Sequence, residues 1–293
     1  MSDHVNKDQL IRFTCKDEPF RVIAAQTTTL CETARRLHDT DPTATVALAR
    51  ITTGTALLGG LLKGSQRLAL AIEGNGPLQK LHAETDAAGH VRCTIKNRLA
   101  NLPPRDGVFD VATAIGKAGF LTVVKDLGLK EPYQGMVQLQ TSEIGDDIAY
   151  YLTTSEQVPS LVSLAVALDN HAAVKTAGGY LIQALPGCSD EAIDRIESRV
   201  ADQPSLSSLL GEGKSLTTIL ADIFSGHELT PPESLPLRFR CRCRRDQVAK
   251  MLAGLEKSEL EAAVTEGVVE VTCEYCRQSY RFTPDEISGI THP

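Results

Sequence analysis

The stretch Cys241-Arg242-Cys243 is followed, after 29 intervening residues, by Cys273-Glu274-Tyr275-Cys276. These two cysteine pairs decide the fold of the C-terminal part of the chain. Thiolates are preferred zinc ligands, and a shell of four sulfurs is structural because it leaves no position open for a substrate. Half of the eight cysteines lie in these two motifs, a clustering that disfavours incidental thiols. The sequence therefore predicts one zinc ion bound by Cys241, Cys243, Cys273 and Cys276.

The composition of the chain sets the class of protein around this site. The 293 residues are 42% hydrophobic but only 4% aromatic and contain no Trp, so we expect an aliphatic core in one large domain plus a smaller one. The first seven residues hold no apolar run, and no stretch of about eighteen apolar residues exists to cross a bilayer. We therefore expect a soluble, cytoplasmic protein that does not contact membranes. Eight cysteines in a reducing compartment favour metal and redox chemistry over a disulfide scaffold.

The net charge of −7 is concentrated in one segment. Residues 1–188 carry −1, residues 189–235 carry −6, and residues 236–293 carry 0. A nucleic-acid-binding protein is expected to show a basic face, and only the arginines between 238 and 245 approach one. On a strand these arginines alternate with Phe239, Cys241 and Cys243. This alternation favours a strand whose arginines face solvent and whose other side chains are buried. We predict no nucleic-acid partner.

Residues 1–188 are predicted to form an α+β domain, a large mixed α/β unit with mainly antiparallel sheets, because short strand patterns separated by tight turns alternate with helical patterns. Predicted strands cover 8–15, 20–26, 67–73, 78–85, 91–95, 119–127, 136–139 and 180–185, and predicted helices cover 27–38, 44–62 and 142–152. Pro186 and Gly187 mark the predicted boundary of this domain.

Residues 189–235 are predicted to be an acidic helical linker. Ser189 is a suitable N-cap for a first helix whose apolar face holds Ile193, Ile196 and Val200, and a second amphipathic helix spans 215–224. Both helices are too short to be stable alone in water, so they must dock on a folded surface. The stretch 211–215 resembles the end of a phosphate-binding loop, but the first glycine is replaced by Ser208 and no strand precedes it. We predict no nucleotide ligand.

Residues 236–293 are predicted to form the zinc-binding domain. Asp246 is expected to cap a helix that runs through Leu252, and a capping box at 258–261 begins a second helix that ends at Gly267. A strand at 268–271 leads to Cys273, and Tyr280 alternates with Phe282 on a return strand. Structural zinc contributes ~10–16 kcal/mol in small peptides, comparable with the net stability of a whole domain. Loss of the metal should therefore unfold this domain.

Motifs that would indicate an enzyme are missing. His227-Glu228 lacks the second His of a zinc-protease helix, and the sequence contains no G-x-S-x-G. The remaining cysteines have no obvious His partner and are interpreted as small core residues: Cys15, Cys31, Cys93 and Cys188. We predict that the protein is not an enzyme.

Nearly the whole chain resembles the heat shock protein 33 family, the redox-regulated holdase chaperones. The resemblance rests first on the stretches 239–243 and 267–276, which contain the cysteine pairs. Further matches are Glu73-Gly74-Asn75-Gly76-Pro77-Leu78, Tyr133-Gln134-Gly135, Ser155-Glu156-Gln157-Val158-Pro159 and the stretch 178–186. The extra cysteines in the large domain and the small residues Thr14-Cys15 depart from the pattern of the family.

The resemblance implies a function and a mechanism. In that family the four cysteines bind zinc when reduced and form two local disulfides when oxidised, here Cys241 with Cys243 and Cys273 with Cys276. Loss of zinc would unfold the small domain and undock the acidic segment, so that apolar surface binds unfolded client proteins without ATP. A homodimer is expected in the oxidised form. The alternative is a zinc-stabilised interaction module that regulates transcription or translation, in which the metal is only structural.

Overall fold

The computed structural model describes residues 8–104, 107–255 and 267–291. The chain divides into two compact units, Met1–Phe239 and Arg240–Pro293. The strands of the first unit are β1 (Gln9–Thr14), β2 (Phe20–Gln26), β3 (Arg67–Gly74), β4 (Lys80–Asp86), β5 (His90–Ile95), β6 (Gly119–Asp126), β7 (Tyr133–Gln138), β8 (Ser160–Leu168), β9 (Val174–Ala184), β10 (Glu233–Pro236) and β11 (Arg238–Phe239). Its helices are α1 (Thr28–His38), α2 (Pro42–Gly59), α3 (Val111–Ile115), α4 (Ile144–Ser155), α5 (Asp190–Ala201), α6 (Leu206–Gly211) and α7 (Leu216–Ile223).

The strands of the first unit form two sheets. The five-stranded sheet has the order β10-β1-β2-β9-β8 and is antiparallel throughout. The six-stranded sheet has the order β11-β5-β4-β3-β6-β7, and its one parallel pair joins Arg238 and Phe239 of β11 to His90 and Val91 of β5. The predicted α+β fold with mainly antiparallel sheets is therefore confirmed.

Helix α2 lies at the centre of the first unit and packs against strands of both sheets. Asp41 caps its N-terminus by accepting a hydrogen bond from the backbone N–H of Ala44 at 2.8 Å, and Pro42 occupies the first turn, where a missing N–H costs nothing. Small residues on this helix allow close packing. A Cβ at Gly54 would lie 2.5 Å from Cδ1 of Ile148 on α4, so a larger residue there would force the end of the Ile148 side chain to move.

The helices of the acidic segment 189–235 pack on one face of the five-stranded sheet, and the end of the segment forms its edge strand β10. On β2, Ile23 and Ala25 face the central core around α2, whereas Val22 and Ala24 face α5, α6 and α7. The sheet contributes to this second apolar cluster with Phe13, Phe20, Val22, Ala24, Tyr180, Ile182 and Ala184. The helices contribute Ala192, Ile196, Leu206, Leu209, Leu210, Leu216, Ile219, Leu220, Ile223 and Phe224, all of them buried.

Local contacts fix these helices in place. The hydroxyl of Ser189 accepts a hydrogen bond from Ala192 N–H at 3.2 Å, as expected for the predicted cap, and Ser215 caps α7 in the same way at 3.1 Å. Arg199 of α5 donates to the carbonyl oxygens of Ile223 and Ser225 at 3.0 and 2.7 Å. This charged donor satisfies carbonyls that the end of α7 leaves without helical partners.

The second unit contains α8 (Arg245–Leu252), β12 (Val269–Thr272), β13 (Ser279–Phe282) and α9 (Pro284–Thr291). Strands β12 and β13 form an antiparallel pair, as the sequence predicted. Asp246 is not the cap of α8: the helix begins one residue earlier, after the extended Arg244, and Asp246 lies in its first turn. A carboxylate there complements the helix dipole without capping it. The helix predicted from the capping box at 258–261 lies outside the described residues.

The sequence missed several elements of the first unit. Strand β8 follows the S-E-Q-V-P stretch, and its apolar run lacks strict alternation because it packs against both α4 and α6. The short helices α3 and α6 were also missed. Strand β9 begins at Val174 rather than at residue 180, and β7 begins at Tyr133 rather than at residue 136. Within the described residues, no helix combines the length and the apolar character that crossing a membrane requires.

Candidate metal centre

The four cysteines are presented by two loops of the second unit. Cys241 and Cys243 lie in the extended segment that precedes α8, and Cys273 and Cys276 lie in the turn between β12 and β13. The turn is closed by two hydrogen bonds of 2.9 Å, from the N–H of Cys273 to the carbonyl of Gln278 and from the N–H of Arg277 to the carbonyl of Cys273. Arg277 adopts a left-handed conformation with a φ of 59°, which allows the tight reversal.

The structure brings all four predicted ligands together. Their sulfur atoms all lie within 4.8 Å of one another, and each cysteine is half-buried. Two sulfur contacts join one pair to the other: the sulfurs of Cys241 and Cys273 are 3.6 Å apart, and those of Cys243 and Cys276 are 3.3 Å apart. This is the compact arrangement of four sulfur donors that a tetrahedral ion can bridge.

The electrostatics of the cluster explain why it suits a cation. Burial, together with the neighbouring thiols, raises the pKa of Cys276 to about 12, and burial also raises the pKa of Cys243. Burial acts in the same direction on Cys241, but the backbone N–H of Cys243 and the neighbouring thiols outweigh it and lower the pKa of Cys241 to about 7. One thiolate forms readily, whereas four would repel each other. A divalent cation removes that repulsion, and an all-sulfur shell fits zinc.

Tyr280 is a contributor to the site that the sequence did not single out as one. Its hydroxyl donates to Sγ of Cys243 at 3.1 Å, and this hydrogen bond raises the pKa of Tyr280 to about 12. The signal was the alternation of Tyr280 with Phe282 on β13, which places both side chains on the buried face. Such outer contacts orient metal ligands and tune their reactivity.

The apolar core that supports the site is small. Among the described residues of the second unit it consists of Val248, Leu252, Tyr280, Phe282 and Ile287. Arg245 stacks over the ring of Phe282, with its guanidinium carbon 4.3 Å from the ring centroid, and binds Glu286 through two oxygens at 2.8 and 2.9 Å. Because so few side chains are buried, the apolar core alone stabilises this unit only weakly. A bound metal would have to supply much of its stability.

The other four cysteines lie in the first unit, apart from this cluster. Cys15, Cys31 and Cys93 are buried, and Cys188 is half-buried. Burial raises the pKa of Cys31 and of Cys93 to about 12, so both remain protonated and inert at neutral pH. These two thiols are core residues, as the sequence suggested.

The model of the family described as "Hsp33 protein" matches residues 8–283, a range that includes both cysteine pairs. The chain belongs to the Hsp33 family. The resemblance seen in the sequence is thereby confirmed.

Individual Hsp33 relatives match over their full length. A 33 kDa chaperonin of Syntrophotalea carbinolica is 50% identical over 285 residues, which is 97% of this chain and 99% of that protein. A 33 kDa chaperonin of Geobacter sulfurreducens is 44% identical over 290 residues, or 99% of this chain and 96% of that protein. The crystal structure of the 33 kDa chaperonin from Thermotoga maritima superposes with a TM-score of 0.91 at 34% identity, covering 97% of this chain and 98% of that one.

Proposed function

We propose that this protein is a redox-regulated, ATP-independent holdase chaperone of the cytoplasm, and that it is not an enzyme. The observation that carries the proposal is the second apolar cluster, in which α5, α6 and α7 cover one face of the five-stranded sheet. Both the helices and the sheet contribute apolar side chains to this contact. Release of the helices would expose it to unfolded client proteins.

In the reduced form, Cys241, Cys243, Cys273 and Cys276 bind one zinc ion. Thiolates held by a metal need no deprotonation before they attack an oxidant, so peroxide or hypochlorite reacts at this site. Each disulfide forms as two thiolates give up two electrons. With two protons from solvent, these electrons reduce hydrogen peroxide to two water molecules, or hypochlorite to chloride and one water molecule. We assign the disulfides to Cys241 with Cys243 and Cys273 with Cys276, the pairs that lie close in sequence. A zinc ion held by these four cysteines would be released, because its ligands are consumed.

Loss of zinc is the event that drives the conformational change. Zinc contributes ~10–16 kcal/mol to small structural sites, more than the few buried side chains of the second unit can replace. Residues 236–293 then act as the redox switch, residues 189–235 as the metastable sensor, and residues 1–188 as the domain for client binding and dimerisation. The sensor is poised for release because its helices are short and depend on the sheet for stability.

The partners follow from this mechanism. Unfolded proteins bind through exposed apolar side chains, without a nucleotide, a nucleic acid or a membrane. The exposed surface also favours association of two oxidised copies, because the same apolar groups that bind clients can pack against each other. We therefore expect a homodimer in the oxidised form.

Light scattering from a heat-unfolding client enzyme tests the proposal. The reduced, zinc-loaded protein should leave aggregation unchanged, whereas the protein oxidised with hypochlorite should suppress it at near-stoichiometric amounts. Reduction and return of zinc should restore the inactive state. Unsuppressed aggregation with both the reduced and the oxidised protein would refute the chaperone function and favour a regulatory module in which the metal is purely structural. Equal suppression by both forms would refute the redox regulation.

A further inference from the structure

A second cluster of metal-ligating side chains lies in the first unit, apart from the four cysteines described above. The sulfur of Cys15, a carboxylate oxygen of Asp17 and an imidazole nitrogen of His227 all lie within 4.8 Å of one another. Cys15 and Asp17 follow β1, whereas His227 follows α7. The cluster therefore joins the first hairpin of the chain to the end of the acidic segment.

Backbone contacts hold two of the three residues, Cys15 and His227. The N–H of Cys15 donates to the carbonyl of Phe20 at 3.0 Å, across the turn between β1 and β2, and Cys15 also forms an isolated antiparallel bridge with Leu229. The N–H of His227 donates to the carbonyl of Phe224 at 2.9 Å, one residue after Gly226 turns the chain with a φ of 84°. The backbone contacts of the fold thus set where Cys15 and His227 lie, and so bring their side chains close to each other.

The carboxylate of Asp17 is oriented as well. Its Oδ2 accepts a hydrogen bond from the N–H of Glu228 at 2.7 Å, which leaves Oδ1 as the oxygen that can bind an ion. The N–H of Lys16 donates to the carbonyl of Glu228 at 2.9 Å, and the side chains of Lys16 and Glu228 form an ion pair. Outer contacts of this kind fix metal ligands in advance and so lower the cost of binding.

The donor set identifies the class of ligand. One thiolate, one imidazole and one carboxylate are the three protein donors that zinc uses, and a water molecule can complete four-coordination. Calcium and magnesium would require a shell of oxygen atoms. Cys15 is buried, His227 is half-buried and Asp17 is exposed, so an ion can enter from solvent on the side of Asp17.

We propose that Cys15, Asp17 and His227 form a second zinc site, distinct from the four-cysteine centre. Binding there cross-links the turn between β1 and β2 to the chain that follows α7. The edge-to-face contact between Phe20 and Phe224, with ring centroids 5.8 Å apart, spans the same junction. An ion that binds only the docked arrangement stabilises that arrangement by mass action.

A regulatory consequence follows, and it rests on the proposed function. If the release of residues 189–235 activates the chaperone, zinc at the second site opposes that release. Two restraints would then act on the C-terminal part of the acidic segment: the redox-sensitive centre that follows it in the chain, and zinc bound at His227 behind α7. Zinc freed by oxidation of the four-cysteine centre would be a source for the second site.

The binding of zinc itself is the first test. The full-length protein, reduced and loaded with one equivalent, is dialysed against buffered zinc and its metal content is measured. We expect a second equivalent in the unmodified chain and in two control variants, Cys31→Ser and His171→Gln. They make the same chemical changes at positions away from Cys15, Asp17 and His227. Cys15→Ser and His227→Gln should each weaken the second site by at least about tenfold, because each removes a direct ligand.

A double variant and an exchange measurement separate this proposal from the proposed function. Cys273→Ser with Cys276→Ser should lose the first equivalent but still bind one equivalent when zinc is in excess, because binding at the second site favours the docked arrangement by mass action. This result needs no chaperone activity. Hydrogen exchange of residues 189–235 after oxidation should be slower with the second equivalent present, and Cys15→Ser should abolish that difference. Failure of a second equivalent to bind, or its full retention in both Cys15→Ser and His227→Gln, would overturn the site. Binding without any effect on exchange would overturn its regulatory role alone.

Discussion

The hydroxyl of Tyr280 donates a hydrogen bond to Sγ of Cys243 at 3.1 Å, so the reactivity of one proposed zinc ligand depends on a side chain of the return strand β13. A hydrogen bond to a thiolate stabilises its charge and lowers its nucleophilicity. The ring of Tyr280 also packs in the small core of the second unit. The same residue therefore connects the stability of this unit with the rate at which its sulfurs are oxidised.

Replacement of Tyr280 by Phe separates these two contributions, because the ring is kept and the donor is removed. A side-chain hydrogen bond contributes about 1 kcal/mol net, so we expect zinc release by peroxide to be several-fold faster in Tyr280→Phe. The rate is measured with a chromogenic zinc chelator. Tyr180→Phe, which alters a buried tyrosine of the first unit, is the control and should react at the rate of the unmodified chain. An unchanged rate in Tyr280→Phe would show that the hydroxyl does not restrain Cys243.

Removal of two ligands tests the assignment of the four-cysteine site. We expect Cys273→Ser with Cys276→Ser to lose the zinc equivalent of this centre, because two sulfurs cannot complete the closed shell. Metal analysis of the reduced protein measures the loss. Cys31→Ser removes a thiol from the buried core of the first unit and should retain that zinc. Retention of the metal by the double variant would refute the ligand set.

A buried carboxylate at the docking face tests the role of the acidic segment. Ile219 is 1% exposed, and burial of the new charge in Ile219→Asp costs several kcal/mol unless α7 leaves the sheet. We expect this variant, reduced and zinc-loaded, to suppress client aggregation without oxidant. Ala221→Asp adds the same charge at an exposed position of the same helix and should stay inactive. If exchange shows the helices of Ile219→Asp released while the protein remains inactive, their undocking does not expose the client site.

The pH dependence of stability is predicted from Glu32 of α1. Arg35 is the main cause of its depressed pKa of about 2, with support from the N–H of Val174 on β9. Because the folded pKa lies below the ordinary value of 4.5, the stabilisation is complete above pH 4.5 and is lost as the pH falls towards 2. In urea unfolding, Glu32→Gln should therefore destabilise the protein most above pH 4.5, and the difference should shrink in acid.

The control for this prediction is Glu73→Gln. Glu73 forms an ion pair with Lys80, but its side chain is 61% exposed, and pairs in contact with solvent contribute little to stability. The stability of Glu73→Gln should follow that of the unmodified chain across the range. An equal and constant effect of both substitutions would contradict the role assigned to Glu32.

Much of the fold could be predicted from local patterns. The hairpin of β1 and β2, the buried helix α2 and the strand pair β12 and β13 each follow from periodicity, turn residues and caps that lie within a few positions of one another. Strand β8 could not be predicted in the same way, because its apolar run is determined by helices on both faces, and α6 packs there from a distant part of the sequence. Asp246 had the right chemistry for a cap, but the extended Arg244 before it set the start of α8.

The two candidate metal sites also differ in whether local sequence patterns could predict them. The four-cysteine cluster could be predicted because cysteines are rare and their pairs are short motifs. The approach of His227 to Cys15 could not, because residues more than two hundred positions apart meet only after the acidic segment returns to the first hairpin. Cys15 was expected to be a small core residue, and its burial agrees with that interpretation. Its neighbours, Asp17 and His227, are visible only in the fold.

Hydrogen exchange of α5, α6 and α7, followed before and after hypochlorite, is the most direct test of the mechanism. The amides of these helices are expected to be protected in the reduced, zinc-loaded protein, because their apolar faces are buried on the sheet. The account predicts that oxidation removes this protection together with the zinc, while the strands β2 and β9 beneath them remain protected. Zinc release and full chaperone activity with the three helices still protected would contradict it.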